Sequence, residues 1–368
     1  MGRLILILML PLLVGCQQNA ETTTEKLSAT RLLSSIDQQG FSRADKARAF
    51  IFPQDHAAHP EYRNEWWYFT GNLQDQSGQR FGYQVTFFRF ALKPPGKKPA
   101  RSRWSNNQLW MAHAAVTDPE GGRHFKQEKL IREGPGLAGS DARPFRVWVE
   151  DWQLQQSQQG FPWTIQINAD QFSIELEVEP TIGLIRQGDK GLSQKSAAVG
   201  NASYYYSYPR LRSSGEITIN EKRYQVTGNS WFDREWGTSA LSSEQTGWDW
   251  FSLQFNSGEN LMFYHLRNQQ GEADPFSAGT RIDKDATTKR LTLSDIEVTP
   301  LTWWQSPSGK RYPVEWEMKL KQENRTLQIK SILAGQEMDL SVRYWEGAVD
   351  IYEQGRSIGS GFLEMTGY

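Results

Sequence analysis

The 368-residue chain has one cysteine and five histidines. A lone thiol rules out an internal disulfide and every multi-cysteine metal site, so the fold must hold by packing alone even in an oxidising compartment. The histidines do little to restore a metal centre. His56 and His59 stand with Asp55 in "DHAAH", a Pro-flanked loop with no third histidine nearby, and no metal is expected there. No G-x-S-x-G elbow, P-loop, dinucleotide fingerprint or EF-hand loop occurs, which leaves no cofactor to expect and speaks against an α/β-hydrolase. Charge of either sign is not in excess, with 41 Lys and Arg against 42 Asp and Glu and no long basic run, so nucleic acid is not an expected partner. Helical periodicity is scarce throughout. Tryptophan, by contrast, occurs 15 times, and so much indole implies large buried apolar surfaces or a cavity lined with them.

The N-terminus gives an address. Arg3 is a short basic start, Leu4 to Val14 is an apolar run, and Gly15-Cys16 closes it. That run is too short to span a bilayer as a folded helix but fits the core of a secretory signal. "LVGC", Leu13 to Cys16, resembles the lipobox of bacterial lipoproteins, whose cysteine is lipidated and becomes the mature N-terminus. Residues 1–16 are therefore expected to be a lipoprotein signal peptide, and the polar, Thr/Ser/Gln-rich residues 17–49 a tether. Gln17, not aspartate, follows the cysteine. By the Gram-negative sorting pattern, that favours anchoring at the outer membrane with the body facing the periplasm.

From Phe50 onward the chain turns to alternating, aromatic-rich segments separated by Gly, Pro, Asn and Asp. Many short strands at regular spacing imply an all-β sandwich or barrel. The chain also resembles itself. "EWWYFTGNLQDQSGQRFGYQVTFFR" (65–89) and "GWDWFSLQFNSGENLMFYHLR" (247–267) share one plan: strand, glycine-containing turn, second strand ending in arginine. "DWQLQQSQQGFPWTIQI" (151–167) and "TWWQSPSGKRYPVEWEMKL" (302–320) form a second matched pair in the same order. Two ordered pairs suggest duplication. They predict two similar antiparallel β-barrel domains, 50–203 and 204–368, with Trp66 overlaying Trp248 and Pro162 overlaying Pro313.

"FPQDHAAHPEYRNEWWYFTGNL", "WMAHAAVTD", "GNSWFDREWG", "GWDWF" and the closing "YWEGAVDIYEQGRSIGSGFLEMTGY" resemble the AttH/carotenoid 1,2-hydratase family of secreted, lipocalin-like proteins, also described as predicted hydrolases. The resemblance covers nearly all of the chain after the tether. It implies two lipocalin-like (calycin-type) barrels and an isoprenoid or other lipophilic ligand. Some relatives hydrate carotenoids or a plant flavonoid, and others accompany ABC-transporter permeases, which makes ABC-transporter components candidate partners.

Strand alternation sorts the candidate site residues, because neighbours two apart share a face. Asp249 falls with Phe251, Leu253 and Phe255, opposite Trp248 and Trp250. Glu65 lies with Trp67 and Phe69. An acid at the end of an apolar face, twice over, reads either as a carboxyl kept protonated by desolvation or as an acid paired with an arginine at a strand mouth. In "GNSWFDREWG", Trp231, Asp233 and Glu235 share one face and Phe232, Arg234 and Trp236 the other. The two carboxyls could share a proton and an acid beside indoles could protonate an alkene, the aromatic faces stabilising the cation. The competing reading is an ion-pair network in which Arg234 and Arg267 neutralise the acids between the domains. Asp249, Asp233, Glu235, Glu65 and His265 are thus the candidate catalytic residues, with Asp249 favoured as the true acid. Trp66, Trp67, Tyr68, Trp231, Trp236, Trp248, Trp250 and Tyr264 are the candidate walls for a lipophilic small molecule. His113, in "WMAHAAV", reads better as a satisfied core histidine. Three functions fit: a hydratase or hydrolase acting on a molecule in a Trp-rich barrel, a carrier serving envelope transport, and a structural lipoprotein.

Overall fold

A computed structural model describes residues 27–28, 39–96, 107–157, 160–238 and 241–368. Cys16 and most of the tether lie outside the described residues. Two sheets account for the body, one of 13 strands and one of 11. They are antiparallel apart from the two-residue β1 (Leu27–Ser28), and one is curled into a nearly closed barrel. The first sheet contains β2 (Asn64–Asp75), β3 (Arg80–Ala91), β4 (Gln108–Asp118), β5 (Arg123–Arg132), β6 (Ala138–Ala142), β7 (Phe145–Val149), β8 (Trp152–Ser157), β9 (Gly160–Asn168) and β10 (Phe172–Pro180). The short β11 (Ile185–Arg186) and β12 (Leu192–Gln194) and the long β13 (Ala202–Ile219) and β14 (Lys222–Gly237) complete it. The second holds β15 (Gln245–Phe255), β16 (Asn260–Asn268), β17 (Ala278–Ile282), β18 (Thr288–Thr292), β19 (Ile296–Gln305), β20 (Arg311–Leu320), β21 (Arg325–Ser331), β22 (Glu337–Asp339), β23 (Val342–Glu353) and β24 (Arg356–Met365), with β1 paired to β23.

The strand orders match. β5-β4-β3-β2-β14-β13-β10-β9-β8 in the first sheet runs as β18-β17-β16-β15-β24-β23-β21-β20-β19 in the second. Pro162 and Pro313 sit in the equivalent strands β9 and β20. The turns Asp75–Gln79 and Phe255–Glu259 also repeat each other bond for bond: each first residue's N–H donates to the fifth residue's carbonyl, and each glycine N–H to the first carbonyl. Counting from these turns, Tyr68 and not Trp66 is the counterpart of Trp248. The slip is two residues, so both tryptophans keep the expected face. The sheets divide between Gly237 and Gln245, not at 203/204, because β13 and β14 pair with β10 and β2 and so close the first sheet. The segment 39–49 is not wholly tether either. Ala44 is fully buried in the first core, and Ser42 and Lys46 accept hydrogen bonds from Thr238 and Tyr204.

Burial explains which strands meet. On β10, Phe172, Ile174, Leu176 and Val178 point into the first core while Ser173, Glu175, Glu177 and Glu179 face outward, the signature of a sheet wet on one side. On β2, β14, β15 and β24 both faces are largely covered. One face fills a barrel core, around Trp67, Trp110 and Trp163 in the first sheet and Trp316 and Trp345 in the second. The other face packs sheet against sheet: Asn72 Nδ2 donates to the Gly361 carbonyl (2.9 Å), Gln254 Nε2 to those of Pro209 (2.9 Å) and Ser230 (3.0 Å), and Arg80 holds Asp350 through both guanidinium nitrogens (2.9 and 2.6 Å). The approach is close at Gly82, where a Cβ would stand 2.8 Å from the Ala348 Cβ. Gly82→Val should therefore wedge the sheets apart and cost about 1–3 kcal/mol in urea denaturation. An unchanged midpoint would show that the two sheets are not locked together there.

Candidate active site between the two sheets

The acids of "FDRE" part company at once. Period-two alternation on β14 sends Arg234 into the first barrel and Asp233 and Glu235 toward the second sheet. Arg234 is fully buried with Glu65, whose carboxylate also binds Arg89 and receives the His59 N–H (2.9 Å). The Arg234 guanidinium lies 3.9 Å from the centroid of the Trp67 ring, and His59 stacks on Trp236 at 4.0 Å. Burial alone would raise the Glu65 pKa, but Arg89 and Arg234 outweigh it and hold this carboxyl well below the usual range. Glu65, Trp67 and Trp236 thus belong to a structural ion-pair and stacking network inside the first barrel. The expectation that they line a reacting site is corrected.

Asp249 has the same fate in the second barrel. His265 Nδ1 lies 3.0 Å from its Oδ2, Arg267 Nε 3.2 Å from the same oxygen, and Tyr368 Oη donates to Oδ1 (2.8 Å). The sequence pointed to Asp249 as an acid with no cation beside it. The strand pairing of β15 with β16 supplies one, Arg267, and sets the His265 imidazole beside it. Asp249 and His265 are partners in a structural cluster, and neither reaches the cavity described next. Nor does Arg234 or Arg267 neutralise Asp233.

Between the sheets, a cavity of about 120 Å³, partly open to solvent, is walled by aromatic side chains from both. Trp66, Tyr68, Trp248, Trp250 and Tyr264 line it, joined by Tyr205, Tyr344, Phe88 and Phe90. Trp231 stands behind them and donates Nε1–H to Asp233 Oδ1 (2.7 Å). Asp233 faces this space and also accepts hydrogen bonds from Tyr205 Oη (2.6 Å, to Oδ2) and Ser207 Oγ. Burial dominates over these three donors and pushes its pKa up to about 7. Glu235 makes no direct bond to Asp233, so the two do not share a proton. Ser203 donates to Glu235, and the Lys195 ammonium lies 3.3 Å from its Oε1. Burial opposes the charge on Lys195, but Glu235 chiefly, with Tyr264 and Asp233, holds its pKa above the ordinary lysine value.

Three charged contributors, Lys195, Glu364 and Glu346, escaped the sequence reading. Lys195 comes from the loop after β12. Glu364 on β24 accepts from Trp248 Nε1 (2.7 Å), and burial raises its pKa to about 7. Opposite it in register, Glu346 on β23 accepts from Tyr68 Oη, and burial, with the charge of Glu364, pushes it well above the carboxyl range. His113 lines the cavity with Nδ1 2.8 Å from Tyr344 Oη and Nε2 2.8 Å from Glu128, so it is both satisfied and part of the wall. Alternation in "GFLEMTGY" puts Glu364 on the face of Phe362, opposite Leu363 and Met365, a signal that was available. Nothing local marks Lys195. His56 is held 2.6 Å from Tyr206 Oη, and burial and the Arg234 charge lower its pKa to about 3.

Fold and site together describe a lipocalin-like double β protein with an acid-bearing apolar cavity between its repeats. The chain belongs to the AttH-like family, whose model matches residues 43–368. It superposes on the crystal structure of an AttH from Nitrosomonas europaea (NE1406) with a TM-score of 0.80 and 32% identity, over 89% of this chain and 100% of that one. Kievitone hydratase from Nectria haematococca shares the fold at 14% identity and a TM-score of 0.67, over 91% of this chain and 98% of that one. Kievitone hydratase of Fusarium solani subsp. phaseoli is 24% identical over 184 residues, 46% of this chain and 48% of that protein, so the match spans about half of that relative's length.

The ion-pair assignment of Glu65 has a measurable consequence. Glu65→Gln strands two buried guanidinium groups and should cost about 3–5 kcal/mol of stability at neutral pH. Because the folded pKa is depressed, that contribution is complete above the ordinary carboxyl value and is lost as pH falls through the depressed one. Variant and native protein should therefore converge in strong acid. A neutral-pH loss under about 1 kcal/mol would remove Glu65 from the structural network.

Proposed function

We propose that this protein is a hydratase adding water across a carbon–carbon double bond of a lipophilic, isoprenoid-like molecule held between the two sheets. The observation that supports this most is Asp233: a buried carboxyl poised near pH 7, without a cation, on the wall of an aromatic cavity. A general acid works best with a pKa near the operating pH. In the proposed step the Asp233 carboxyl gives its proton to one alkene carbon, forming a C–H bond as the π bond breaks. The positive charge left on the other carbon faces Trp66, Trp248 and Trp250, whose ring faces stabilise cations. Water then forms the C–O bond, and Glu235 takes the proton it releases. Overall, alkene plus water gives alcohol; Glu235 returns the proton it took to solvent and Asp233 regains one from solvent, which restores the site. The resemblance to kievitone hydratase favours this reaction over ester or amide hydrolysis, and among the described residues no serine lines the cavity.

Incubation with prenylated aromatics and acyclic polyenes in ¹⁸O-water, read by mass spectrometry, tests the reaction; no label in any of them would sink it. Asp233→Asn should lower turnover by about 10²–10⁴-fold with ligand affinity nearly unchanged, since the lost proton transfer acts in the transition state. The acid must be protonated, so kcat/KM should be high below pH 7 and fall as pH rises through about 7. A profile rising across that range would exclude Asp233 as the acid.

The apolar walls would equally suit a carrier, or an accessory lipoprotein of an ABC-type transporter, that retains its ligand through purification without converting it. In either role the chain is proposed to be anchored by Cys16 to the outer membrane, facing the periplasm. Cys16→Ser should abolish lipid labelling and release the body from membranes; unchanged membrane fractionation would end that proposal.

A further inference from the structure

The charges around the cavity do not balance. Lys195 pairs with Glu235, and the lining holds no other lysine or arginine. Asp233 and Glu364 are left facing the space with only neutral donors: Tyr205, Ser207 and Trp231 for one, Trp248 for the other. Behind them Glu346 is 1% exposed, and its Oε2 has no hydrogen-bond partner. A buried carboxylate without a counter-charge is costly, and a positive ligand is one way to remove that cost. The walls are suited to such a ligand, because indole and phenol faces attract an ammonium most strongly where water is excluded. The protein already shows this mode with its own side chain: the Lys195 ammonium sits 3.9 Å from the Tyr264 ring centroid while pairing with Glu235.

We infer that the cavity is a binding site for lipophilic organic cations, molecules with a quaternary or protonated amine on a hydrocarbon body, seated between the tryptophan faces and the carboxylates of Asp233 and Glu364. The inference shares the cavity of the hydration reading but does not rest on turnover. Binding must release protons. Asp233 and Glu364 are part-protonated near pH 7 in the free protein, and a neighbouring positive charge favours their ionised forms. The groups facing Asp233 are Glu235 on its own strand, Tyr205 on β13, Tyr68 on β2, Lys195 in the loop, and Glu364 on β24. Glu346 on β23 acts through Tyr68, and His113 on β4 is tied to Tyr344 and Glu128. Of these, the carboxyls near pH 7 set the sign: affinity for a permanently charged cation rises with pH as they ionise.

Decyltrimethylammonium and its neutral carbon isostere, 2,2-dimethyldodecane, are the probes, the second presented in a matched low-detergent buffer. By tryptophan-fluorescence titration the cation should bind at least about 10-fold tighter at pH 7.5, and its affinity should rise from pH 5.5 to 7.5 while that of the isostere stays level. Calorimetry in buffers of different ionisation heat should register proton release on cation binding. Asp233→Asn with Glu364→Gln should abolish the preference and leave the isostere's affinity unchanged. Equal affinities, or a cation affinity flat with pH in the native protein, overturn the inference whether or not the double variant folds. Hydration activity, measured separately, can fail while the cation preference holds, and the reverse.

Discussion

Asp233 and Arg234 are adjacent in the chain and on opposite faces of one strand, and much of the site depends on that separation. In an extended strand successive side chains point apart, so Arg234 is committed to Glu65 in the first barrel and Asp233 is left facing the second sheet without a counter-ion. The two outcomes are coupled. Arg234 is affordable inside a barrel only because Glu65, the Ala57 carbonyl and the Trp67 face receive it. Asp233 keeps a raised pKa only because that cation is spent elsewhere.

The second repeat solves the same packing problem with different residues. Asp249, Arg267, His265 and Tyr368 occupy the interior of the second barrel as Glu65, Arg89, Arg234 and His59 occupy that of the first. In both, an acid at the end of an apolar face is neutralised by a cation from the neighbouring strand. The acids free of cations, Asp233 and Glu364, each come from the last long strand of a repeat, on the face turned toward the other sheet. Duplication thus gives two closed cores and one shared surface, and the unbalanced charge collects on the shared surface.

The fold was legible because it rests on local rules. Alternation in "FSIELEVEP", the matched turns "DQSGQ" and "FNSGE", and the two ordered pairs of aromatic strands specify strands, hairpins and repeats. The face assignments on β14 and β15 were also correct: Asp233 lies with Glu235 and Trp231, and Asp249 with Phe251. What alternation does not carry is which face meets what. From "WDWFSLQF" alone, the interior of a barrel and a surface shared by two sheets read alike, and only the pairing of Asp249 with His265 and Arg267 across β16 decides it. Hence Asp249 looked like the better acid and Asp233 the neutralised one, the reverse of the structure. Lys195 was beyond reach because it arrives from a loop whose path depends on a contact with β15, where Gln245 Nε2 donates to the Lys195 carbonyl.

The tryptophans explain why the cavity lies between the sheets. A small barrel can hold a ligand inside or fill its interior with side chains, but not both. Here Trp67 and Trp110 stack at 5.6 Å with Trp163 and Phe232 beside them in the first interior, and Trp316 meets Phe251 edge to face in the second. Those interiors are packed cores, and the space that could take a ligand lies instead between the outer faces of the sheets. That position has a chemical consequence. A cavity inside one barrel is reached through its mouth and lined by one repeat, whereas this one takes Asp233 from the first sheet and Glu364 from the second. The geometry between the acids is then set by the fit of sheet on sheet, the contact at which Gly82 and Ala348 leave no room for a further methyl group.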